Sequence, residues 1–412
     1  MRLENLLDVG NLGDLLAEGY ILQRRHPRLP LRILNYSNKC ALEGKWPIEA
    51  CICRGLIVDD RDVVVSRPIP KFFNLGQTGP VIYKAGLEGI LVQDEAFTAE
   101  FLLVNATAWR SPLTVTRKMD GWAGITWHYG SEWGVASRGS FDSPGALYAT
   151  ERFQKFVKYT AVESIPEDTT LFFEIISKQT RIVVPYNFEG LVLLTAIDNE
   201  TGEEMRYAHL KAFYDQLNQY AKDRPWCRLV ERFDKSIEQC VADDDTTEEG
   251  YVVAVHRKGL PPIRAKIKME EYCRLHRIIT NVTPQKIWTE LADPTSPWLS
   301  HNTEMDRKTG KLHHELGVPK EFAAWVRNWQ AGLTQAFHRN LRMALDAQNC
   351  LEHLTGDKKS ILDRMNALFD KETVKVAYKL YHGKVPEAYA DLWATVRPHG
   401  KDERFYEDGK GE

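Results

Sequence analysis

The feature that most constrains the fold of this 412-residue chain is a change of hydrophobic period about two thirds of the way along it. From about residue 31 to residue 268, short runs rich in β-branched and aromatic residues are separated by turn residues, which is typical of strands. From Pro319 onward, apolar residues recur at helical spacing and form one stripe from Phe322 to Leu345. The two patterns predict two domains of different class.

The strand-rich part also contains helical segments, but strands and helices do not alternate as they do in a parallel βαβ protein. We therefore predict an α+β fold: a domain of mainly antiparallel sheets over residues 1–280, followed by an all-helical domain over 281–412. The predicted strands include 55–58, 63–66, 170–176, 181–184, 191–194 and 251–255, and the predicted helices are 144–159, 209–222, 319–345, 360–369, 374–381 and 386–396. The segments 284–288 and 292–297 are interpreted as a connection, and 400–412 as a solvated tail.

Composition excludes several function classes. The net charge of −3 gives no overall electrostatic signal for nucleic acid, so any basic binding surface must be local. The seven cysteines are scattered, and Cys51 and Cys53 fall in a predicted strand without a matching His/Cys pair, which favours reduced core thiols. The longest apolar run, 191–197, is far too short to cross a bilayer. We expect a soluble protein of the cytoplasm, or of the host cytoplasm if the chain is viral.

One lysine stands beside a strong turn signal. A Val/Thr-rich strand runs into Lys118, Asp120-Gly121 follows as a tight turn, and an Ile/Trp-rich strand comes next, so the sequence predicts a β-hairpin with Lys118 at its end. A lysine amine in such a position can act as a covalent nucleophile when nearby cations lower its pKa. The four-residue pattern alone is equally consistent with an ordinary surface hairpin.

Other cations along the chain suit the attack of a lysine on the α-phosphate of a nucleotide. Lys266 and Lys268 share one face of a predicted strand, where they could lower the pKa of Lys118 and bind the α-phosphate. Arg54 and Lys71 could hold the departing pyrophosphate. Each of these residues could also be an ordinary surface cation; only the ordered set indicates this chemistry.

Carboxylates and aromatic residues complete the set. Glu174, within an apolar strand, and Glu249, at a strand start, are candidates for holding magnesium against the phosphates. Tyr36, Phe73 and Val252 are candidates for contacts with the base. Alternatively, Glu174 is a charge at a strand edge and Glu249 belongs to a solvated acidic loop.

In this order the motifs resemble those of the covalent nucleotidyltransferase superfamily of ATP-dependent ligases and capping enzymes. Within it, the chain most resembles the RNA ligase 1 family of T-even bacteriophages, over residues of about 30 to 280. The segments that carry the resemblance are Arg54-Gly55, Lys71-Phe72-Phe73-Asn74, Lys118-Met119-Asp120-Gly121, Phe172-Phe173-Glu174, residues 181–186, Glu249-Gly250-Tyr251-Val252, and Lys266-Ile267-Lys268 with Tyr272.

The resemblance implies an ATP- and Mg²⁺-dependent RNA ligase that joins 5′-phosphate and 3′-hydroxyl ends through lysyl-AMP and RNA-adenylate intermediates, in RNA repair that includes tRNA. It implies that Lys118 is the nucleophile and that Glu249 and Glu174 contact the metal, with Glu174 also near the ribose. The implied ATP-binding residues are Tyr36, Arg54, Lys71, Phe73, Arg138, Glu174, Lys266 and Lys268. Two positions depart from the family: Arg138 replaces a usual lysine, and Lys178-Gln179-Thr180 lacks the usual proline and asparagine.

The partners expected from this resemblance are broken RNA, including cleaved tRNA, and a separate kinase-phosphatase, because the chain contains no P-loop with which to phosphorylate RNA ends. We expect a monomer without a membrane partner. Basic residues on the long predicted helix, Lys320, Arg327, Arg339 and Arg342, could contact RNA or form a solvated face. The alternatives are a DNA ligase or GTP-dependent capping enzyme, which the helical C-terminal region argues against, and an inactive RNA-binding relative.

Overall fold

The computed structural model describes residues 1–84, 91–159, 165–166, 168–178, 180, 183–219, 225–245, 247–292, 318 and 320–399. The chain divides into two compact units, of which the first comprises Met1–His276 and the second begins at Arg277. The first unit combines mainly antiparallel sheets with helices and the second is helical where it is described, so the predicted α+β class is confirmed. No helix among the described residues has both the length and the apolar composition needed to cross a bilayer.

The described residues of the first unit form three larger sheets and a two-stranded hairpin. The first sheet, in the order β1-β2-β3-β4, consists of Ile21–Arg25, Leu31–Tyr36, Arg54–Asp59 and Val64–Ser66. The hairpin is β6 (Thr78–Lys84) with β7 (Leu91–Ala96). The second sheet, in the order β10-β9-β11-β12-β13, consists of Glu132–Ala136, Trp122–Tyr129, Thr169–Ile176, Gly190–Asp198 and Arg228–Leu229. The third sheet, in the order β14-β8-β15-β16-β5, consists of Arg232–Phe233, Thr114–Arg117, Gly250–Arg257, Leu260–Lys268 and Phe73–Asn74.

Helices cover the sheets of this unit: α1 Val9–Ala17, α2 Asn38–Glu43, α3 Ile48–Ile52, α4 Ala99–Ala108, α5 Pro144–Tyr159, α6 Tyr207–Leu217, α7 Ile237–Val241 and α8 Glu270–Asn281, the last of which runs into the second unit. Apolar residues of β2 and β3 share a core with residues of β9 and β11, so the first two sheets pack face to face. The opposite face of the second sheet packs on α5 and α6. Alternation along β11 buries Leu171, Phe173 and Ile175 in that core and directs Phe172 and Glu174 to the other side.

Three details differ from the sequence predictions. The segment 181–184 is not a strand where it is described: Val183 and Val184 donate their backbone N–H groups to a buried carboxylate, and residues 181 and 182 lie outside the described residues. Cys51 lies in α3 and Cys53 caps it, so neither is in a strand. Both thiols are free and buried. The predicted helix 209–222 is observed as α6, which ends at Leu217 because the chain leaves helical geometry at Asn218.

The second unit is built on α10 (Lys320–His353), against which α12 (Lys371–Tyr381) and α13 (Val385–Thr395) pack, with α11 (Lys358–Leu368) beside them. The predicted connection 284–288 is instead part of a helix, α9 (Pro284–Ala292), because proline at its first position is compatible with a helix start. Trp288 of α9 and Trp393 of α13 stack in parallel, and each indole N–H donates to the other residue's carbonyl, at 2.9 and 3.2 Å. The predicted tail 400–412 lies outside the described residues.

Candidate active site

Lys118 lies where the chain crosses from one sheet to another. The strand before it, β8, belongs to the third sheet, and the strand after it, β9, belongs to the second. The predicted hairpin is therefore wrong: an Asp-Gly pair permits a tight change of direction, but here the two flanking strands pair with other partners. Gly121 is required because a Cβ atom there would lie 2.5 Å from the carbonyl oxygen of Ile175.

Asp120 is an internal anchor rather than an exposed turn residue, since only 1% of it is exposed. Its carboxylate accepts the backbone N–H groups of Val183 and Val184 at 2.7 and 2.8 Å and the hydroxyl of Tyr272 at 2.7 Å. Its own N–H donates to the hydroxyl oxygen of Tyr186 at 2.8 Å. These long-range bonds fix the crossing, and with it the position of the neighbouring Lys118.

The amine of Lys118 lies 2.7 Å from the carboxylate of Glu249, and the amine of Lys268 lies 3.0 Å from the same oxygen. Glu249 is buried, whereas the side chain of Lys118 is 19% exposed. The next residue, Gly250, has φ of +140°, and a Cβ atom there would lie 2.0 Å from the carbonyl oxygen of Ile267. Glycine therefore lets β15 begin against β16 and brings Glu249 to both lysines.

Charge around Lys118 differs from the sequence prediction. Burial favours the neutral amine, but the carboxylates of Glu249 and Glu174 outweigh burial and raise the pKa of Lys118. The pKa of Lys118 is therefore raised, whereas the sequence analysis expected Lys266 and Lys268 to lower it. Burial likewise opposes the charge of Glu249, but Lys118 and Lys268 hold its pKa below the usual range. In this state Lys118 and Glu249 form an ion pair.

Glu174 is the second carboxylate of this cluster. It accepts the backbone N–H of Gly121 at 3.0 Å, so β11 also helps to position the crossing. Burial raises its pKa to about 8, and although Lys118 opposes this shift, the negative charge of Glu249 adds to it. We refer to Lys118, Lys268, Glu174 and Glu249 as the carboxylate cluster.

Arg54 begins β3 and faces the same region. Its guanidinium donates to the carbonyl oxygen of Ile69 at 3.2 Å and lies over the rings of Phe72 and Phe172, at 5.4 and 5.7 Å from their centroids. Burial lowers its pKa, and the positive charge of Arg138 adds to this effect. Among the described residues Arg54 has no carboxylate in ion-pair contact.

Lys71 is held by aromatic rings. Its amine lies 4.5 Å from the ring centroid of Trp46 and 4.1 Å from that of Phe73, and it donates to the carbonyl oxygen of Phe72 at 3.1 Å. Burial and the charge of Arg54 lower its pKa to about 8. Phe73 is 3% exposed and stacks on Phe97, so its ring supports Lys71 instead of lining open space.

Lys266 and Lys268 share one face of β16, as predicted. Burial lowers the pKa of Lys266 to about 6, and the positive charges of Lys71 and Lys118 add to this shift. Its amine lies 5.5 Å from the ring centroid of Phe72. We refer to Arg54, Lys71 and Lys266 as the aromatic-backed cations.

Tyr36 and Arg138 form one wall of the region. The guanidinium of Arg138 donates to the hydroxyl of Tyr36 at 2.7 Å and lies 4.8 Å from its ring centroid. The Tyr36 ring in turn meets the edge of Trp46 at 5.1 Å. Trp46 was not singled out from the sequence, because it belongs to neither a periodic pattern nor a charged motif, and Tyr186 entered only as the last residue of the segment 181–186.

The carboxylates present fit a metal ion that arrives with phosphate ligands, not a metal site made by protein alone. No group of three or more His, Cys, Asp or Glu side chains that could hold a metal occurs within the described part of the chain. Glu249 and Glu174 supply carboxylate oxygens, which Mg²⁺ prefers, and Mg²⁺ is commonly bound through one or two carboxylates together with substrate phosphates. In the structure these oxygens are occupied by Lys118, Lys268 and the N–H of Gly121.

Comparison with known proteins identified several similar chains. The chain is 26% identical over 280 residues to an RNA ligase of Rhodothermus phage RM378, and 28% identical over 235 residues to a putative RNA ligase of Thermovibrio ammonificans. These alignments cover 57% and 55% of this chain, and 62% and 53% of the two relatives, so the chain spans little more than half of the length of the curated relatives it matches.

Among solved structures, a Naegleria gruberi RNA ligase with PPi has a TM-score of 0.34 at 17% identity, covering 43% of this chain and 56% of that one. A putative ATP-dependent DNA ligase from Aquifex aeolicus has a TM-score of 0.44 at 16% identity, covering 81% and 80%. A family model described as RNA ligase matches residues 52–273, which is more than half of the chain and includes Lys118, Glu249 and Lys266. The chain belongs to the RNA ligase family.

Proposed function

We propose that this protein is an ATP-dependent RNA ligase whose nucleophile is Lys118. The observation that carries the proposal is the position of this amine, 2.7 Å from the buried carboxylate of Glu249 and beside Lys266, within the region matched by the RNA ligase family. One amine between a carboxylate and a group of cations suits covalent catalysis on a phosphate anhydride.

In the first step, the neutral amine of Lys118 attacks the α-phosphorus of ATP. The N–P bond forms, the bond from that phosphorus to the β-phosphate oxygen breaks, and pyrophosphate leaves. Because the pKa of Lys118 is raised by its carboxylate neighbours, the amine must first lose a proton. Glu249 accepts a hydrogen bond from this amine and is the nearest group to receive that proton.

In the second step, a 5′-phosphate oxygen of RNA attacks the same phosphorus, and the bond to the nitrogen of Lys118 breaks. In the third step, an RNA 3′-hydroxyl attacks the activated 5′-phosphorus. The new phosphodiester forms, AMP leaves and the hydroxyl proton is released. Both steps develop negative charge on phosphate oxygens, which Lys266 and Lys268 would stabilise.

The surrounding residues suit the parts of ATP. Arg54 and Lys71 would contact the β- and γ-phosphates, because neither has a carboxylate ion-pair partner among the described residues. Tyr36 with Arg138 would contact the nucleoside, and Glu174 the ribose. Glu249 and Glu174 would hold a magnesium ion carried by the phosphates; when bound, it would neutralise phosphate charge.

Labelling with ATP tests the nucleophile. Wild-type protein incubated with α-labelled ATP should carry AMP through denaturing electrophoresis, and Lys118→Ala should carry none. Parallel labelling with GTP distinguishes an RNA ligase from a capping-type enzyme, which would accept GTP instead. Persistent labelling of Lys118→Ala would refute the assigned nucleophile, and no label with either nucleotide would indicate an inactive relative.

We further propose that the acceptor is RNA with 5′-phosphate and 3′-hydroxyl ends, including a cleaved tRNA, prepared by a separate kinase-phosphatase in the same cytoplasm, and that the protein acts as a monomer. Ligation of matched RNA, DNA and a cleaved tRNA stem-loop separates these acceptors. Joining of the DNA at a rate equal to the RNA would contradict the assignment.

The helical unit is proposed to contact structured RNA. Arg339 and Arg342 are exposed on α10. If each contacts a phosphate, the double substitution Arg339→Glu/Arg342→Glu should lower joining of the stem-loop about tenfold at low salt. AMP labelling should be unchanged, which serves as the internal control. Unchanged stem-loop joining would show that this face of α10 is only solvated.

A further inference from the structure

The aromatic-backed cations share an unusual electrostatic setting. Arg54, Lys71 and Lys266 each have positive charges nearby, and among the described residues none has a carboxylate in ion-pair contact, although the charge of Glu174 acts on Arg54 in the opposite direction. Each lies over an aromatic ring. A ring face does not occupy the N–H donors of these groups as a carboxylate would, so the donors stay available to an anionic ligand.

Phe72 is the residue that these cations have in common. Its ring centroid lies 5.4 Å from the guanidinium carbon of Arg54 and 5.5 Å from the amine of Lys266. Its carbonyl oxygen accepts a hydrogen bond from the amine of Lys71 at 3.1 Å. One residue therefore contacts all three cations, two through its ring and one through its backbone.

The backbone of Phe72 is fixed by the third sheet. The residue directly precedes β5, in which Phe73 and Asn74 pair in parallel with Ala265 and Lys266 of β16. Phe73 is buried against Phe97, whereas Phe72 is half-buried and contacts the cations. The pairing thus holds Phe72 at a constant distance from the strand that carries Lys266.

A buried ion pair holds the ring from another direction. The guanidinium of Arg264 lies 5.6 Å from the centroid of Phe72 and donates to both carboxylate oxygens of Glu204, at 2.8 and 2.5 Å. Glu204 neutralises Arg264, so this cation anchors the ring and is not available to phosphate. The ring of Phe72 therefore contacts Arg264, which is paired with a carboxylate, as well as Arg54 and Lys266, which are not paired in this way within the described residues.

We propose that Phe72 is a positioning residue for the triphosphate, whose ring sets the separation of Arg54 and Lys266 before the nucleotide binds. The proposal rests on the proposed ATP-dependent function and deepens it. Because pre-set cations bind an anion without first paying the ordering cost of two long side chains, loss of the ring should weaken binding of the phosphate chain. The rate of lysyl-AMP formation at saturating ATP should change much less, because the ring lies against Arg54, Arg264 and Lys266 and not against the nucleophile among the described contacts.

The test compares Phe72→Leu, which removes the ring face, with Phe72→Tyr, which keeps it. The matched control is Phe101→Leu, since Phe101 is half-buried like Phe72 and packs on Phe97 instead of on a cation. The measurements are the ATP dependence of lysyl-AMP formation and the binding of inorganic tripolyphosphate by calorimetry. Phe72→Met replaces Phe72→Leu if the latter does not fold.

Phe72→Leu should raise KM for ATP and Kd for tripolyphosphate about tenfold, equivalent to ~1.4 kcal/mol. The kcat of lysyl-AMP formation by Phe72→Leu should stay within about threefold of the wild-type value. Phe72→Tyr and Phe101→Leu should have KM, Kd and kcat values similar to those of wild type. An unchanged KM and Kd in Phe72→Leu, or an equal change in Phe101→Leu, would overturn the proposal. Tripolyphosphate binding that depends on Phe72 without any AMP labelling would refute the ATP-dependent function but retain Phe72 as the organiser of a polyphosphate site.

Discussion

The two halves of the candidate site hold their lysines in opposite ways. In the carboxylate cluster, Lys118 and Lys268 share one oxygen of the buried Glu249. Among the aromatic-backed cations, Lys71 and Lys266 lie over rings and have no ion-pair partner within the described residues. The first arrangement raises the pKa of Lys118, and the second accompanies lowered pKa values of about 8 for Lys71 and about 6 for Lys266.

The difference separates two chemical tasks. A charged lysine amine is not nucleophilic, and it becomes reactive only when its proton leaves and its carboxylate partner is engaged elsewhere. Basic groups without a carboxylate partner need not exchange one anion for another when phosphates bind, so their N–H donors are available to the phosphates directly. We therefore propose that the carboxylate cluster sets the rate of lysyl-AMP formation and that the aromatic-backed cations set the affinity for the phosphate chain.

The largest effect is expected from Glu249→Gln. The amide keeps the size of the side chain but removes the charge that pairs with Lys118 and Lys268. Lysyl-AMP formation at saturating ATP should fall about 10²- to 10³-fold, similar to the loss of one group that stabilises a transition state. Because Glu249 contributes to the raised pKa of Lys118, the remaining activity should reach its plateau at lower pH than in wild type. If Glu249→Gln formed lysyl-AMP at the wild-type rate but with a changed KM for ATP, Glu249 would contribute to ATP affinity and not to the rate, which would contradict the proposal.

A smaller effect with the opposite kinetic signature is expected from Lys71→Met. This change removes one charge that we assign to the pyrophosphate end while keeping an apolar side chain between Trp46 and Phe73. Loss of one charge-assisted contact should raise KM for ATP about ten- to a hundredfold. The kcat of labelling should change less than KM, and the affinity difference should shrink at high salt. A fall in kcat without a change in KM would show that Lys71 contributes to the rate of lysyl-AMP formation, as proposed for Lys118, and not to ATP affinity.

Part of this site follows from the sequence. Period-2 alternation, a local rule, places Lys266 and Lys268 on one face of a strand. Glu249 and Lys118 are far apart in the chain and were placed in one site only because the order of the motifs resembles that of a known family. The prediction of a hairpin at Asp120-Gly121 was wrong because the residues of a turn do not determine which strands pair. Strand pairing depends on residues far apart in the sequence. For the same reason the partners of Asp120 could not be predicted: Val183, Val184 and Tyr272 lie 63 to 152 residues away.

Electrostatic predictions were the least reliable, because the pKa of a lysine depends on distances of a few ångströms. The sequence predicts both cations and carboxylates near Lys118 and does not say which has the larger effect on its pKa. The structure shows that the carboxylate of Glu249 lies in direct contact with the amine and raises that pKa. Trp46 has no motif, yet it lies over Lys71 and against Tyr36. The helix at Pro284 was interpreted as a connection because a proline after a turn signal fits both a loop and a first helical position.

The smallest effect that distinguishes the two halves is a change in bound protons. Lys266, with a pKa of about 6, is mostly neutral at pH 7. Phosphates beside it favour the charged amine and raise its pKa, so binding of a non-hydrolysable ATP analogue should take up part of one proton. The sign follows because the pKa lies below the working pH before binding and rises on binding. At pH 5 the amine is already charged and no uptake from Lys266 is expected.

Calorimetry in buffers of different ionisation enthalpy measures this uptake. The difference between wild type and Lys266→Met cancels the proton changes of the nucleotide itself, so it reports Lys266 alone. The expected difference is a fraction of one proton at pH 7 and close to none at pH 5. If wild type and Lys266→Met take up the same number of protons on nucleotide binding at pH 7, Lys266 is already charged before ATP binds. The aromatic contact would then stabilise the charged form of Lys266, as Glu249 stabilises the charged form of Lys118.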